Sequence, residues 1–115
     1  MIGIDVVRVQ RMEGLSQRES FLNGVFTASE LLYYKEKGEK AETLAGIYAA
    51  KEAAAKAFGV GINGFRLTDI EVTHDGHGAP VLLLHNAAKT FALGKTVSAS
   101  ISHDGGVAVA VVMIL

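Results

Sequence analysis

The sequence predicts a single α+β domain, with helices packed on a small antiparallel sheet. Three observations carry that expectation. The chain has 115 residues, the length of one domain, so residues 1–115 are taken as one unit. The strongest helical pattern, from about Ala41 to Phe58, lies in the first half and is built largely of alanine. The second half instead alternates short apolar runs with glycine-bearing turns, the pattern of hairpins. Half of the residues are hydrophobic, one fifth are charged and one is proline, which suits an ordered globule rather than a disordered chain.

Taken in order, Ile2, Ile4, Val6, Val7 and Val9 form a β-branched opening that reads as a strand with Asp5 set into it. Arg8 to Gly14 turns helical. Ser16 is the expected N-cap of a short helix through Asn23, ended by Gly24. Thr27-Ala28-Ser29-Glu30 is a capping box, in which the Thr27 hydroxyl takes the Glu30 N–H and the Glu30 carboxylate takes the Thr27 N–H. That helix runs through Tyr34 and stops at Gly38. The long helix ends at Gly59, where a left-handed C′ glycine belongs. Gly59 to Phe65 is a connector. Leu67 to His74 is a strand, Asp75 to Ala79 a turn, and Pro80 opens a strand through Leu84. Asn86 to Ala92 is a short helix. Thr96 to His103 and Val107 to Leu115 are strands joined at Asp104-Gly105-Gly106. The last strand is apolar on both faces, so it belongs at the centre of a sheet or at a subunit interface.

Bulk properties exclude several classes. A net charge of −1 gives no global field for nucleic acid. The absence of cysteine removes disulfides, thiolate catalysis and Cys-based zinc sites. The longest apolar run, Val107 to Leu115, is nine residues and too short for a membrane-spanning helix. No charged segment precedes an apolar one at the N-terminus, so a cytoplasmic protein is expected. A mean hydropathy of +0.30 is high for so short a chain and favours burial against copies of itself.

Within the long helix, Lys51, Glu52 and Lys56 interrupt a run of alanine and aromatic residues. Glu52 and Lys56 are four apart and share one face. They are either an exposed helical ion pair or part of a site, because an unpaired carboxylate buried among alanines is costly. Asp5 either alternates out to water or converges with Glu52. A converged pair suits Mg2+, which takes one or two protein carboxylates and completes its octahedron with water and phosphate. His103 ends a strand before a turn, a place for a surface histidine or a functional one. His74, His77 and His85 have no metal-ligand spacing. Arg8, Arg11 and Arg18 are three solvated arginines or, on one continuous helix, a docking strip for an acidic helix. No Rossmann, P-loop or nucleophile-elbow motif is present.

Together these segments resemble a known family. Leu44 to Gly61 reads L-A-G-I-Y-A-A-K-E-A-A-A-K-A-F-G-V-G. It is similar to the signature helix of the holo-acyl-carrier-protein synthases, approximately L-A-G-R-aromatic-small-A-K-E-A-x-x-K-A-x-G-x-G. Gly3-Ile4-Asp5, Phe26 to Leu31, Asp69 to Val72, Gly78-Ala79-Pro80 and Ser100 to His103 match in order. The resemblance covers nearly the whole chain. It implies a phosphopantetheinyl-transferase-like fold and Mg2+-dependent transfer of phosphopantetheine from coenzyme A to a serine of acyl carrier protein, with 3′,5′-ADP released. It implies Asp5 and Glu52 as Mg2+ ligands and Lys56 near the coenzyme A phosphates. Lys51 belongs to the same cofactor-binding motif, and His103 is placed by the nucleotide phosphates. Arg11 is implied as the contact for the carrier's acidic helix. It also implies a homotrimer with each site at a seam between subunits. Ile47 departs from the family arginine and removes a permanent cation with five donors. Asp104 replaces a common threonine. The Ile47 departure leaves a second reading, a non-catalytic trimeric module that binds coenzyme A or a nucleotide.

Overall fold

The computed structural model describes residues 1–59 and 64–115. Gly61 and the middle of the expected Gly59–Phe65 connector lie outside the described residues. The chain forms β1 (Ile2–Arg8), α1 (Val9–Leu15), α2 (Glu19–Val25), α3 (Ala28–Glu36), α4 (Ala41–Phe58), β2 (Ile70–His74), β3 (Pro80–Leu84), β4 (Val97–Asp104) and β5 (Val107–Ile114). Two 3-10 turns, Leu67–Asp69 and Asn86–Ala92, flank β2 and β3. The expected α+β class is the one observed.

The strands make two antiparallel sheets, β1-β5-β4 and β2-β3. β5 is central in the larger sheet, as its apolar faces require. Its turn with β4 places Gly105 and Gly106 both at positive φ, +58° and +81°, the backbone of a tight two-residue hairpin. α4 lies across the inner face of this sheet, over Ala108, Ala110 and Val112, all fully buried. The alanines of α4 make that approach possible. A Cβ built on Gly3 would fall 2.0 Å from the Ala53 carbonyl oxygen and 2.7 Å from the Ala57 nitrogen. Strand backbone therefore rests directly on helix backbone, which only glycine permits.

Two local expectations are corrected. Ser16 does not start α2; it is the C-cap of α1, and its hydroxyl donates to the Glu13 carbonyl at 3.1 Å. α2 begins at Glu19 without a side-chain cap and runs one residue past Gly24. The strand expected from Leu67 begins only at Ile70. Asp69 turns its carboxylate back onto the Arg66 N–H at 3.0 Å, closing a 3-10 turn that competes with the ladder. The Thr27–Glu30 capping box and the left-handed Gly59 are both formed as the sequence implies.

Candidate active site

Residue alternation decides where Asp5 points. In β1, Gly3 and Val7 are buried against α4, while Ile2, Ile4 and Val6 are exposed on the opposite face. Asp5 shares the Gly3–Val7 face, and its side chain is only 16 % exposed. Lys56 reaches it from α4: Nζ lies 3.0 Å from Asp5 Oδ1 and 3.0 Å from the Ile4 carbonyl. Among the described residues the Lys56 ammonium thus pairs across to β1, not with Glu52 on its own helix.

Glu52 is half-buried and stands one turn before Lys56 and one turn after Tyr48 on the same α4 ridge. The Tyr48 phenol is held above its ordinary range. Burial is the main cause, followed by hydrogen bonding and repulsion from Glu52; Arg11 opposes them. The Arg11 guanidinium carbon sits 5.4 Å from the Tyr48 ring centroid. One ridge of α4 therefore carries Tyr48, Glu52 and Lys56, with Arg11 of α1 at one end and Asp5 of β1 at the other. Oδ1 of Asp5 is engaged, which leaves its second oxygen and the Glu52 carboxylate as hard donors beside one cationic side chain. That donor set fits Mg2+. No group of three or more metal-ligating side chains converges among the described residues.

Lys51 requires a correction. The resemblance places it in the cofactor-binding motif, but its side chain is fully buried on another face of α4. Nζ lies 2.8 Å from Glu30 Oε1, which is equally buried, and donates to the carbonyls of Leu67 at 2.9 Å and Ile70. Burial lowers the ammonium from its ordinary range, and Glu30 is the leading charge that opposes the loss. A cation with all its donors committed inside the core cannot also grip a ligand in solvent. Glu30 also accepts the Val72 N–H at 2.7 Å, so the pair ties α3, α4 and β2 together.

His103 lies away from Asp5. The register places Asp5 opposite Ala110 and Ala110 opposite Ile101, with His103 one inward-facing row further along β4. β1 and β4 are opposite edges of the sheet, two strand spacings or about 10 Å apart. His103 is exposed, and its Nδ1 is 3.4 Å from Glu42. It lines a groove of about 190 Å³ with Glu42, Ile47, His74, Gly78 and Pro80. Ile47 is 2 % exposed at the floor of that groove, so the floor there is apolar. The three arginines do not form one stripe: Arg8 ends β1, Arg11 is in α1 and Arg18 precedes α2.

Sequence reasoning missed a second polar cluster. Glu71 accepts the hydroxyls of Thr27 at 2.7 Å and Ser29, and meets His85 Nε2 at 3.0 Å. These contacts, the two hydroxyls first, draw its pKa down to about 2. Tyr33 stacks on His74 with centroids 3.9 Å apart. The capping box was a signal for Glu30, but nothing in local spacing marks Glu71 or the Tyr33–His74 stack.

Comparison with known proteins adds four matches. Residues 1–112 match the family model of the 4′-phosphopantetheinyl transferase superfamily. The chain is 47 % identical to the holo-acyl-carrier-protein synthase of Caldicellulosiruptor bescii over 113 residues, covering 96 % of this chain and 93 % of that protein. It superposes on the Helicobacter pylori holo-acyl-carrier-protein synthase in complex with coenzyme A with a TM-score of 0.89 and 36 % identity, covering all of both chains. The Bacillus anthracis synthase in complex with CoA (3′,5′-ADP) gives a TM-score of 0.83 at 36 % identity, covering 98 % of this chain and 93 % of that one.

Proposed function

The chain belongs to the 4′-phosphopantetheinyl transferase superfamily, and from that membership we propose that it transfers 4′-phosphopantetheine from coenzyme A to a serine of an acyl carrier protein. It is an enzyme of the holo-acyl-carrier-protein synthase type. The observation that carries the site assignment is the turning of Asp5 onto the α4 ridge that holds Glu52 and Lys56.

In the reaction the serine hydroxyl oxygen bonds to the β-phosphorus of coenzyme A. The bond from that phosphorus to the bridging oxygen breaks, 3′,5′-ADP departs and the serine proton is lost. Asp5 and Glu52 would hold the metal. A bound Mg2+ would supply charge neutralisation at the pyrophosphate. Lys56, 56 % exposed yet tethered at Asp5, has donors to spare for non-bridging phosphate oxygens. Arg11 offers an exposed guanidinium to the acidic helix of the carrier. His103 and the Ile47-floored groove receive the nucleotide end.

We place the working site at a subunit seam in a homotrimer. Two observations support this. The Asp5–Lys56 edge and the His103 edge lie on opposite sides of one sheet, so each chain offers one half to each of two neighbours. The outer face of that sheet also exposes Ile2, Ile4, Val6 and Met113, an apolar patch that a neighbouring copy would cover. A reading as a module that binds but does not transfer rests only on Ile47, which bears on affinity rather than on the carboxylates. Glu52→Gln is the test: Mg2+-dependent transfer falls at least a hundredfold. Unchanged Mg2+-dependent turnover would overturn the assignment.

A further inference from the structure

The chemistry of transfer uses neither Tyr33 nor His74, yet their rings lie within 8° of parallel with centroids 3.9 Å apart. The stack joins α3 to the end of β2. Lys37, one turn on from Tyr33, brings its ammonium to 5.4 Å from the Tyr33 ring centroid. Tyr33 is thus braced from its own helix, and it fixes the plane of the imidazole in turn. The pair is not core packing. Both residues are half-buried. Both line two cavities, the groove of about 190 Å³ that holds His103 and a cleft of about 450 Å³ beside it. The stack is therefore a wall between two open spaces. Across the β2–β3 ladder, His74 stands directly opposite Pro80. Directly opposed residues put their side chains on one face of a sheet, about 5 Å apart. Imidazole and prolyl ring so make one flat surface along the groove that Ile47 floors.

We propose that His74, backed by Tyr33 and extended by Pro80, is the stacking platform for the nucleobase of the donor. The inference deepens the placement of the donor's nucleotide end in this groove and rests on that placement. Physically, a ring whose plane is fixed in advance offers a base its π face without the entropy cost of ordering a mobile side chain. The groove suits a nucleotide better than the cleft on the other side of the wall. That cleft is lined by the Glu36 and Asp75 carboxylates, which repel phosphate. In the groove the Glu42 carboxylate is paired with His103, and the floor is apolar. A base laid on His74 would therefore meet ring and aliphatic surface, with its polar edges toward the mouth.

The test titrates 3′,5′-ADP into the full chain by calorimetry and follows the adenine ring protons by NMR. His74→Ala is expected to weaken binding about tenfold, within the range for loss of one base–aromatic stack. His74→Phe keeps a flat face and is expected to stay within about threefold of the wild type. Tyr33→Leu keeps an apolar side chain without the ring and is expected to fall between them. In the wild type and in His74→Phe the adenine proton resonances move upfield on binding, through the ring current of the platform; in His74→Ala that shift is lost. Unchanged affinity in His74→Ala overturns the proposal. So does an unshifted adenine resonance in the bound wild type, a result that needs no variant to fold. His103→Ala separates the two levels. If it weakens 3′,5′-ADP and His74→Ala does not, the platform is lost and the groove keeps the nucleotide. If neither variant weakens it, or the wild type does not bind it, the placement of the nucleotide end in this groove fails and the platform falls with it.

Discussion

Single residues here divide into those that build the site and those that hold the frame beneath it, and adjacent letters of one motif fall on opposite sides of that line. Lys51 and Glu52 are neighbours in sequence, but a helix turns by about 100° per residue, so one enters the core and the other stays half-buried on the ridge it shares with Tyr48 and Lys56. Lys51→Met leaves Glu30 charged and unpaired in the core. It is expected to lower stability by about 3–5 kcal/mol, measured by urea denaturation, and Lys51→Met with Glu30→Gln recovers part of that loss. Lys51→Met as stable as the wild type would contradict the buried pairing. Glu71 gives a pH prediction. Its folded pKa of about 2 lies below the ordinary carboxylate value of 4.5. Its contribution is therefore complete above about pH 5 and is lost as pH falls toward 2. In Glu71→Gln the acid limb of the stability–pH curve flattens across that window; an unaltered limb would show that Glu71 does not carry it. The Lys51 misassignment has a physical source: motif spacing reports a helix face, whereas its partners Glu30, Leu67 and Ile70 come from three other segments.

Among the elements, α4 and β1 form the contact on which the site depends. Gly3→Ala would drive a methyl into the backbone of Ala53 and Ala57, which cannot move without shifting the helix. It is expected to cost about 3 kcal/mol or more and to separate Asp5 from Lys56, so transfer falls with stability. Gly46→Ala makes the contrast. Its new methyl would meet only the Ile101 Cγ2 at 2.9 Å, a side-chain methyl rather than backbone, though one on a branched Cβ that is stiff at χ1 and must shift a little to make room. A helix-interior alanine gains about 1 kcal/mol over glycine, so the net change stays within about 1 kcal/mol. Comparable losses in both variants, by thermal denaturation, would contradict this packing account. Boundaries read well from sequence where the signal was local: the α4 span, the capping box and the Gly59 cap. They failed where side chains chose nonlocal or competing partners. Ser16 offered a hydroxyl to either of two helices and took the earlier one, and Asp69 bent Leu67–Asp69 out of the strand.

For the whole molecule, the single chain places the Asp5–Lys56 pair and His103 on opposite sheet edges and exposes apolar side chains on the outer face of the sheet. Ile4→Lys puts a charge on that face, where the wild-type side chain is 56 % exposed. The chain should then sediment as a monomer rather than a trimer and lose transfer while keeping its fold. A wild-type monomer with full activity would refute the seam. The α+β class and the central place of β5 were legible in the sequence, whereas the side on which Asp5 points is open there between water and α4, and the strand register fixes it. The separation of Asp5 from His103 was not legible either, because a register of three strands sets it and no single segment contains it. The most direct measurement is the intact mass of a purified apo-acyl carrier protein incubated with this chain, coenzyme A and Mg2+, with an EDTA control. The account predicts a gain of one phosphopantetheine group that EDTA abolishes and that Glu52→Gln does not support. No gain across several carrier proteins, with coenzyme A still raising the melting temperature, would contradict it and leave a module that binds without transferring.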